Sequence, residues 1–235
     1  MRWMIFLVVL FWAAPLRAEP VNIITAVDVS LSVTSAGENL EYQGLALGVA
    51  DDGFLALVEQ AGGASLAVFT WSSNAVFGTA LPWTVIRSPG DADAVAAILM
   101  AAPRMPRNEY GQRYTGQDSQ GGMTNTSAAL DYALTLALSA PFRGARTIIN
   151  IMTDSRPTEG PAPLAQRAAA EARGITVNAV VFSPQDAEVP AWFRSNVITG
   201  PGAFVVTISS PTHLPEVLRR KFLQDMISAL AAGRG

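Results

Sequence analysis

The chain contains no cysteine, which excludes disulfide bridges, thiolate nucleophiles, zinc–thiolate centres and iron–sulfur clusters. Histidine is nearly as scarce. His213 is the only one, so the chain alone cannot supply a histidine-rich transition-metal site, and a Ser-His-Asp triad has a single possible base. Lys221 is the only lysine, which removes polybasic docking on anionic lipid. With 16 Lys plus Arg against 19 Asp plus Glu, the net charge is −3. No basic excess exists to displace counterions from phosphates, so nucleic acid is not expected as a partner. No phosphate loop ending in lysine occurs, which argues against a nucleotide hydrolase. Gly63-Ala64-Ser65-Leu66-Ala67 lacks the second glycine of a nucleophile elbow and precedes a strand instead of following one. The apolar run from Trp3 to Ala14 is too short for a comfortable membrane span.

The 235 residues are 50% hydrophobic and 15% charged, which argues for a folded chain with a core large enough to need no covalent or metal staple. Arg2, the short apolar run and Pro15-Leu16-Arg17-Ala18 describe a secretory signal over 1–18; the alternative is an uncleaved anchor. Residues 19–235 then form a single domain, expected to be secreted into the periplasm, with no stable membrane insertion after cleavage. Without Arg2 and Arg17, 14 basic residues face 19 acidic ones, a net charge of −5.

Val21 to Val27 is short, apolar and β-branched and reads as a buried strand ending at Asp28. Helix is expected from about Gly37 to Gln60, and strand from Ser65 to Trp71 with a hairpin return over Ala75 to Leu81. A helix follows from Asp91 to Met100, capped near Ser88 or Asp91. The 102–122 stretch is long, polar and aperiodic, and loops of that length are uncommon unless functional or disordered. Then come helix Thr126–Ser139, strand Arg146–Thr153, helix Pro163–Arg173, strand Ile175–Phe182, a helical turn Pro190–Asn196, strand Ala203–Ile208 and a C-terminal helix marked by Leu214, Leu218, Phe222, Met226 and Leu230. Alternating strands and helices imply an α/β, doubly wound, mostly parallel central sheet with one antiparallel edge strand and helices on both faces.

Asp28-Val29-Ser30-Leu31-Ser32 starts where the first strand ends. In an extended segment positions i, i+2 and i+4 point the same way, so Asp28, Ser30 and Ser32 are expected to face one point. Ligands of open α/β sheets bind outside the carboxyl ends of the strands. Thr124, in the lead into a helix, and Asp154, at the end of another strand, reach the same edge. Two carboxylates and three hydroxyls are hard oxygen donors suited to Mg²⁺, with Mn²⁺ or Ca²⁺ as alternatives, and they leave the ion able to accept a further anionic oxygen. The competing reading is local: Asp and Ser also gather at turns and helix caps.

These five residues resemble the metal-ion-dependent adhesion site of the von Willebrand factor A fold, whose pattern is Asp-x-Ser-x-Ser, a threonine on a second loop and an aspartate after a central strand. Gly121 to Leu130, GGMTNTSAAL, resembles that threonine loop and its helix. Leu31 stands where many relatives carry glycine. More narrowly, Trp71-Ser72, Pro82-Trp83 and Gly200-Pro201-Gly202-Ala203-Phe204 resemble a family of uncharacterised bacterial secreted proteins of this fold. The resemblance implies divalent-metal-dependent binding of a protein partner that presents a carboxylate, with Ser30, Ser32 and Thr124 as direct or switching ligands and Asp28 and Asp154 acting through water. No catalytic residue is expected and the chain is not expected to be an enzyme. The rival readings are a metal-free interaction scaffold of the same fold and a metal-dependent hydrolase of phosphate esters.

Arg104, Arg107 and Arg113, with Tyr110 and Tyr114, suggest that the 102–122 loop reads an acidic partner; a solvated loop is the alternative. Trp71, Trp83 and Trp192 are expected in the core rather than as a surface platform. His213 is expected to serve a local or surface role before the last helix.

Overall fold

The computed structural model describes residues 19–73, 77–105, 122–182 and 186–232. The sequence-expected signal 1–18 and most of the 102–122 loop, Arg107, Tyr110, Arg113 and Tyr114 included, lie outside them.

β1 (Val21–Asp28) and β2 (Ala64–Trp71) are buried along their whole length, as expected of strands covered on both faces. With β4 (Arg146–Thr153), β5 (Thr176–Phe182), β6 (Val205–Ile208) and β3 (Phe77–Ile86) they form one six-stranded sheet of order β3-β2-β1-β4-β5-β6. All neighbours pair parallel except β2 with β3, the antiparallel edge. Period-two alternation divides β1 between two cores. Ile23 and Val27 face α1 (Ser35–Val49), α2 (Asp52–Ala61), α3 (Pro89–Ala101) and α7 (Leu214–Ala232); Ile24 and Ala26 face α4 (Thr126–Ala137), α5 (Leu164–Ala172) and α6 (Val189–Asn196).

The helix expected from Gly37 to Gln60 is two. It breaks at Ala50–Asp51, because the Asp51 carboxylate accepts the Phe54 N–H at 3.1 Å and so caps a new helix rather than continuing the old one. Ser88 and Asp91 form a reciprocal capping box at the start of α3. Trp71 is fully buried, Trp83 donates its indole N–H to the Leu136 carbonyl at 3.2 Å, and Trp192 packs edge-on against Phe193. All three therefore serve the core.

α7 lies on α1 through glycines. A Cβ at Gly44 would sit 2.6 Å from Leu218 Cδ1 and 3.0 Å from the Pro215 backbone; one at Gly48 would sit 2.5 Å from the Phe222 ring. Phe222 is itself wedged edge-on against Phe54 and is fully buried, so it has no room to move. Gly48→Ala should cost about 1–2 kcal/mol, overpacking outweighing the gain in helix propensity. A urea midpoint at or above that of the natural chain would show that the helices separate easily.

Candidate metal centre

The parallel register sets Val27 level with Met152, so Asp28 and Thr153, the last residues of β1 and β4, end side by side. Thr153 Oγ1 donates to Asp28 Oδ2 at 2.6 Å and the Ser30 N–H donates to Oδ1 at 2.7 Å. Asp28 is wholly buried. On the other side, Ser32 Oγ donates to Asp154 Oδ1 at 2.7 Å and lies 3.2 Å from Ser30 Oγ.

Thr124 is held by three elements. The Ser72 hydroxyl, just past β2, donates to the Met123 carbonyl at 3.0 Å, and Asn125, the side-chain cap of α4, donates its N–H to the Ser72 carbonyl at 3.0 Å. The Thr124 N–H donates to Thr158 Oγ1 at 2.9 Å, while its carbonyl accepts the Thr158 N–H at 2.9 Å. Thr124 Oγ1 then lies 3.3 Å from Ser155 Oγ. Asp28, Ser30, Ser32, Thr124 and Asp154 thus belong to one hydrogen-bonded cluster at the carboxyl edge of β1 and β4.

The route to that convergence differs from the expected one. Residues 29–33 are not extended: the chain bends after Asp28, and the Val33 N–H returns to the Ser30 carbonyl at 3.1 Å. The Asp28 carboxylate itself holds this bend by accepting the Ser30 N–H. A turn, rather than strand alternation, aims the hydroxyls. Leu31 is accommodated because its neighbour is glycine. Its N–H donates to the Gly122 carbonyl at 3.0 Å, and a Cβ on Gly122 would sit 2.4 Å from Leu31 Cδ1.

Sequence reading passed over Thr153, Ser155 and Thr158. Their signal was the run of hydroxyls around Asp154, in Thr153-Asp154-Ser155-Arg156-Pro157-Thr158, each of which bonds a predicted site residue or its backbone.

Burial dominates the electrostatics of the two carboxylates. Burial, then repulsion from Asp154, pushes the Asp28 carboxyl up from 3.8 to about 7; burial also raises Asp154, against hydrogen bonds from Ser32 and Ser155. Among the described residues no Lys, Arg or His forms an ion pair with either carboxylate. Nor do the described residues offer a group of three His, Cys, Asp or Glu for a metal ion, so a cation at this edge would depend on the hydroxyls. The donor set fits a hard divalent ion: two closely placed carboxylates without a counter-charge and three neutral hydroxyls.

Two other sequence candidates stand apart. The Arg104 guanidinium lies 4.0 Å above the Tyr42 ring, and its Nε donates to Asn39 Oδ1 at 2.9 Å. It is thereby folded onto α1. His213 closes a single 3-10 turn, Pro211–His213, ahead of α7.

A family model described as "Protein of unknown function (DUF1194)" matches residues 20–230. No curated protein matches. Among solved structures, proximal thread matrix protein 1 from the mussel byssus, crystal form 2, superposes with a TM-score of 0.65 at 19% identity, over 89% of this chain and 48% of that one. The same protein "with zinc occupied MIDAS motif" gives 0.64 at 19% identity, again over 89% and 48%. The pilus adhesin SpaC from Lactobacillus rhamnosus GG gives 0.59 at 17% identity, over 90% of this chain and 31% of that one. The chain therefore spans about half the length of the thread matrix protein and about a third of the adhesin. At these identities the likeness is one of fold, and that fold is von Willebrand factor A-like.

Proposed function

We propose that this chain, which belongs to the DUF1194 family, is a binding module that holds a divalent cation at Asp28, Ser30, Ser32, Thr124 and Asp154 and through it engages an acidic group on a protein partner. What supports the reading is that Asp28, Ser30, Ser32 and Asp154 share one hydrogen-bonded cluster, that Thr124 joins it through Ser155, and that neither carboxylate has a basic partner among the described residues. A zinc-occupied motif in a protein of the same fold supports it. The hard donors favour Mg²⁺, with Mn²⁺ or Ca²⁺ as alternatives.

Each residue has a task. Asp28 and Asp154 supply negative charge, while Ser30, Ser32 and Thr124 supply neutral oxygens. Thr153 and Ser155 orient them, as hydrogen-bonded outer partners do in metal sites generally. A bound divalent ion supplies a positive centre that accepts an anionic oxygen. Binding rather than turnover is the function we assign to the cluster. Among the described residues no helix is long and apolar enough to cross a membrane. We further propose that residues 1–18 direct the protein to the periplasm, which N-terminal sequencing of the exported protein tests.

Calorimetric titration with Mg²⁺ and Mn²⁺ tests the site. Thr124→Val, which keeps the shape and removes the hydroxyl, should weaken ion binding about tenfold or more, within the range found when groups around a metal are lost. Identical titrations for the two proteins would remove Thr124 from the site. Capture of a partner from a periplasmic extract should in turn be abolished by chelator.

A further inference from the structure

Next to the proposed cation position lies a cleft in which a single arginine, Arg156, stands between two aspartates. It has a volume of about 390 Å³ and is lined by Asp154, Ser155, Arg156, Pro157, Thr158, Asp186 and Val189. Asp154 and Ser155 belong to both the cleft and the oxygen cluster, so the two are continuous.

We propose that the partner engages this edge with two carboxylates, one at the cation position and a second on Arg156. The proposal rests on the binding reading above and adds what the partner must present. Arg156 is rooted close to the cluster. It sits between Ser155, whose hydroxyl lies against Thr124 Oγ1, and Thr158, which exchanges hydrogen bonds with the Thr124 backbone. Both flanks of Arg156 are therefore tied to a proposed ligand residue, and Pro157 stiffens the loop between them.

The guanidinium is available. Its side chain is 48% exposed and pairs with Asp186, itself 39% exposed. Exposed pairs of this kind contribute little to stability, so an incoming carboxylate can take over the guanidinium. Asp186 does not become an orphan when it does, because its Oδ1 still accepts the Glu188 N–H at 2.8 Å. Pro157 and Val189 give the cleft apolar wall for the chain between the two acids. An arginine fork binds carboxylate in a bidentate manner, and the scarcity of basic residues elsewhere argues for a short acidic peptide segment over a nucleic acid backbone.

Titrations of the purified protein in Mg²⁺, followed by NMR, test this with acetyl-Gly-Glu-Gly-amide against acetyl-Glu-Gly-Glu-amide and acetyl-Glu-Gly-Gly-Glu-amide. One of the diacidic peptides should bind about two- to fivefold more tightly than the monoacidic one, the worth of a surface ion pair net of the Asp186 contact it displaces. Arg156→Gln should bring the peptides to equal affinity. Asp186→Asn, which keeps the acceptor for Glu188 but removes the competing charge, should preserve or enlarge the preference. Equal affinities in the natural protein, or a preference undiminished in Arg156→Gln, would overturn the second contact while leaving the cation reading in place. Failure of the monoacidic peptide to bind in a Mg²⁺-dependent way would overturn the cation reading, and this proposal with it.

Discussion

Replacing Asp28 by Asn should abolish divalent-ion binding and, at pH 8 without metal, make the protein more stable than its parent. The folded-state pKa of Asp28 is raised from 3.8 to about 7 by burial and by Asp154. The buried carboxyl therefore favours folding while it is protonated in both states, and that contribution is lost as pH climbs from about 4 through 7. The shift corresponds to about 4 kcal/mol. Asn has no proton to lose, keeps an oxygen for the Ser30 N–H, and offers its amide to Thr153 Oγ1. The part of that loss falling between pH 5 and pH 8 should lower the melting temperature of the metal-free parent by roughly 5–10 °C, and that of Asp28→Asn should fall by less, its remaining slope coming from Asp154, whose carboxyl burial also raises. Saturating Mg²⁺ should reverse the fall in the parent and do nothing for the variant. Parallel pH profiles for the two metal-free proteins would refute this account.

The second large effect lies away from the cluster. On the α7 face of the sheet, Lys221 Nζ donates to Asp225 Oδ1 at 2.8 Å and Oδ2 at 2.6 Å, and both side chains are essentially inaccessible to water. Asn150 on β4 and Asn178 on β5 donate to the same carboxylate at 2.9 and 3.1 Å. Burial lowers the Lys221 pKa, and Asp225 works against that shift. Asp225→Ala leaves a buried ammonium without its carboxylate, beside the Phe204 ring 5.4 Å away, and should cost about 3–5 kcal/mol. Lys221→Met should cost less, because the carboxylate left behind keeps two amide donors. Urea denaturation of both variants decides: equal losses, or a loss below about 1 kcal/mol for Asp225→Ala, would mean that water reaches the pair.

Most of the framework was legible along the chain. β4 was expected over Arg146–Thr153 and is found there, because a β-branched run between polar flanks has few other uses. Asp28 and Asp154 stood out for a related reason: each ends or directly follows a buried strand, at the edge where ligands of open α/β sheets bind. Asp51 was missed as a helix break because it lies in an apolar periodic stretch whose repeat runs on unbroken through it. The orienting hydroxyls were missed because nothing in the spacing of Thr153, Ser155 and Thr158 says which loop they will touch.

The chain order alone therefore determined most of the elements, the exclusion of thiol and histidine chemistry, and the oxygen-bearing residues available at strand ends. The tertiary structure decided which of those oxygens meet. Register between β1 and β4 is set by contacts across more than a hundred residues, and it alone brings Thr153 to Asp28. Burial, too, arises only on assembly. Lys221 and Asp225 are spaced as an ordinary exposed helical pair would be, and only the packing of α7 against Asn150 and Asn178 takes them out of water, where the strength of a charge interaction depends on what surrounds it.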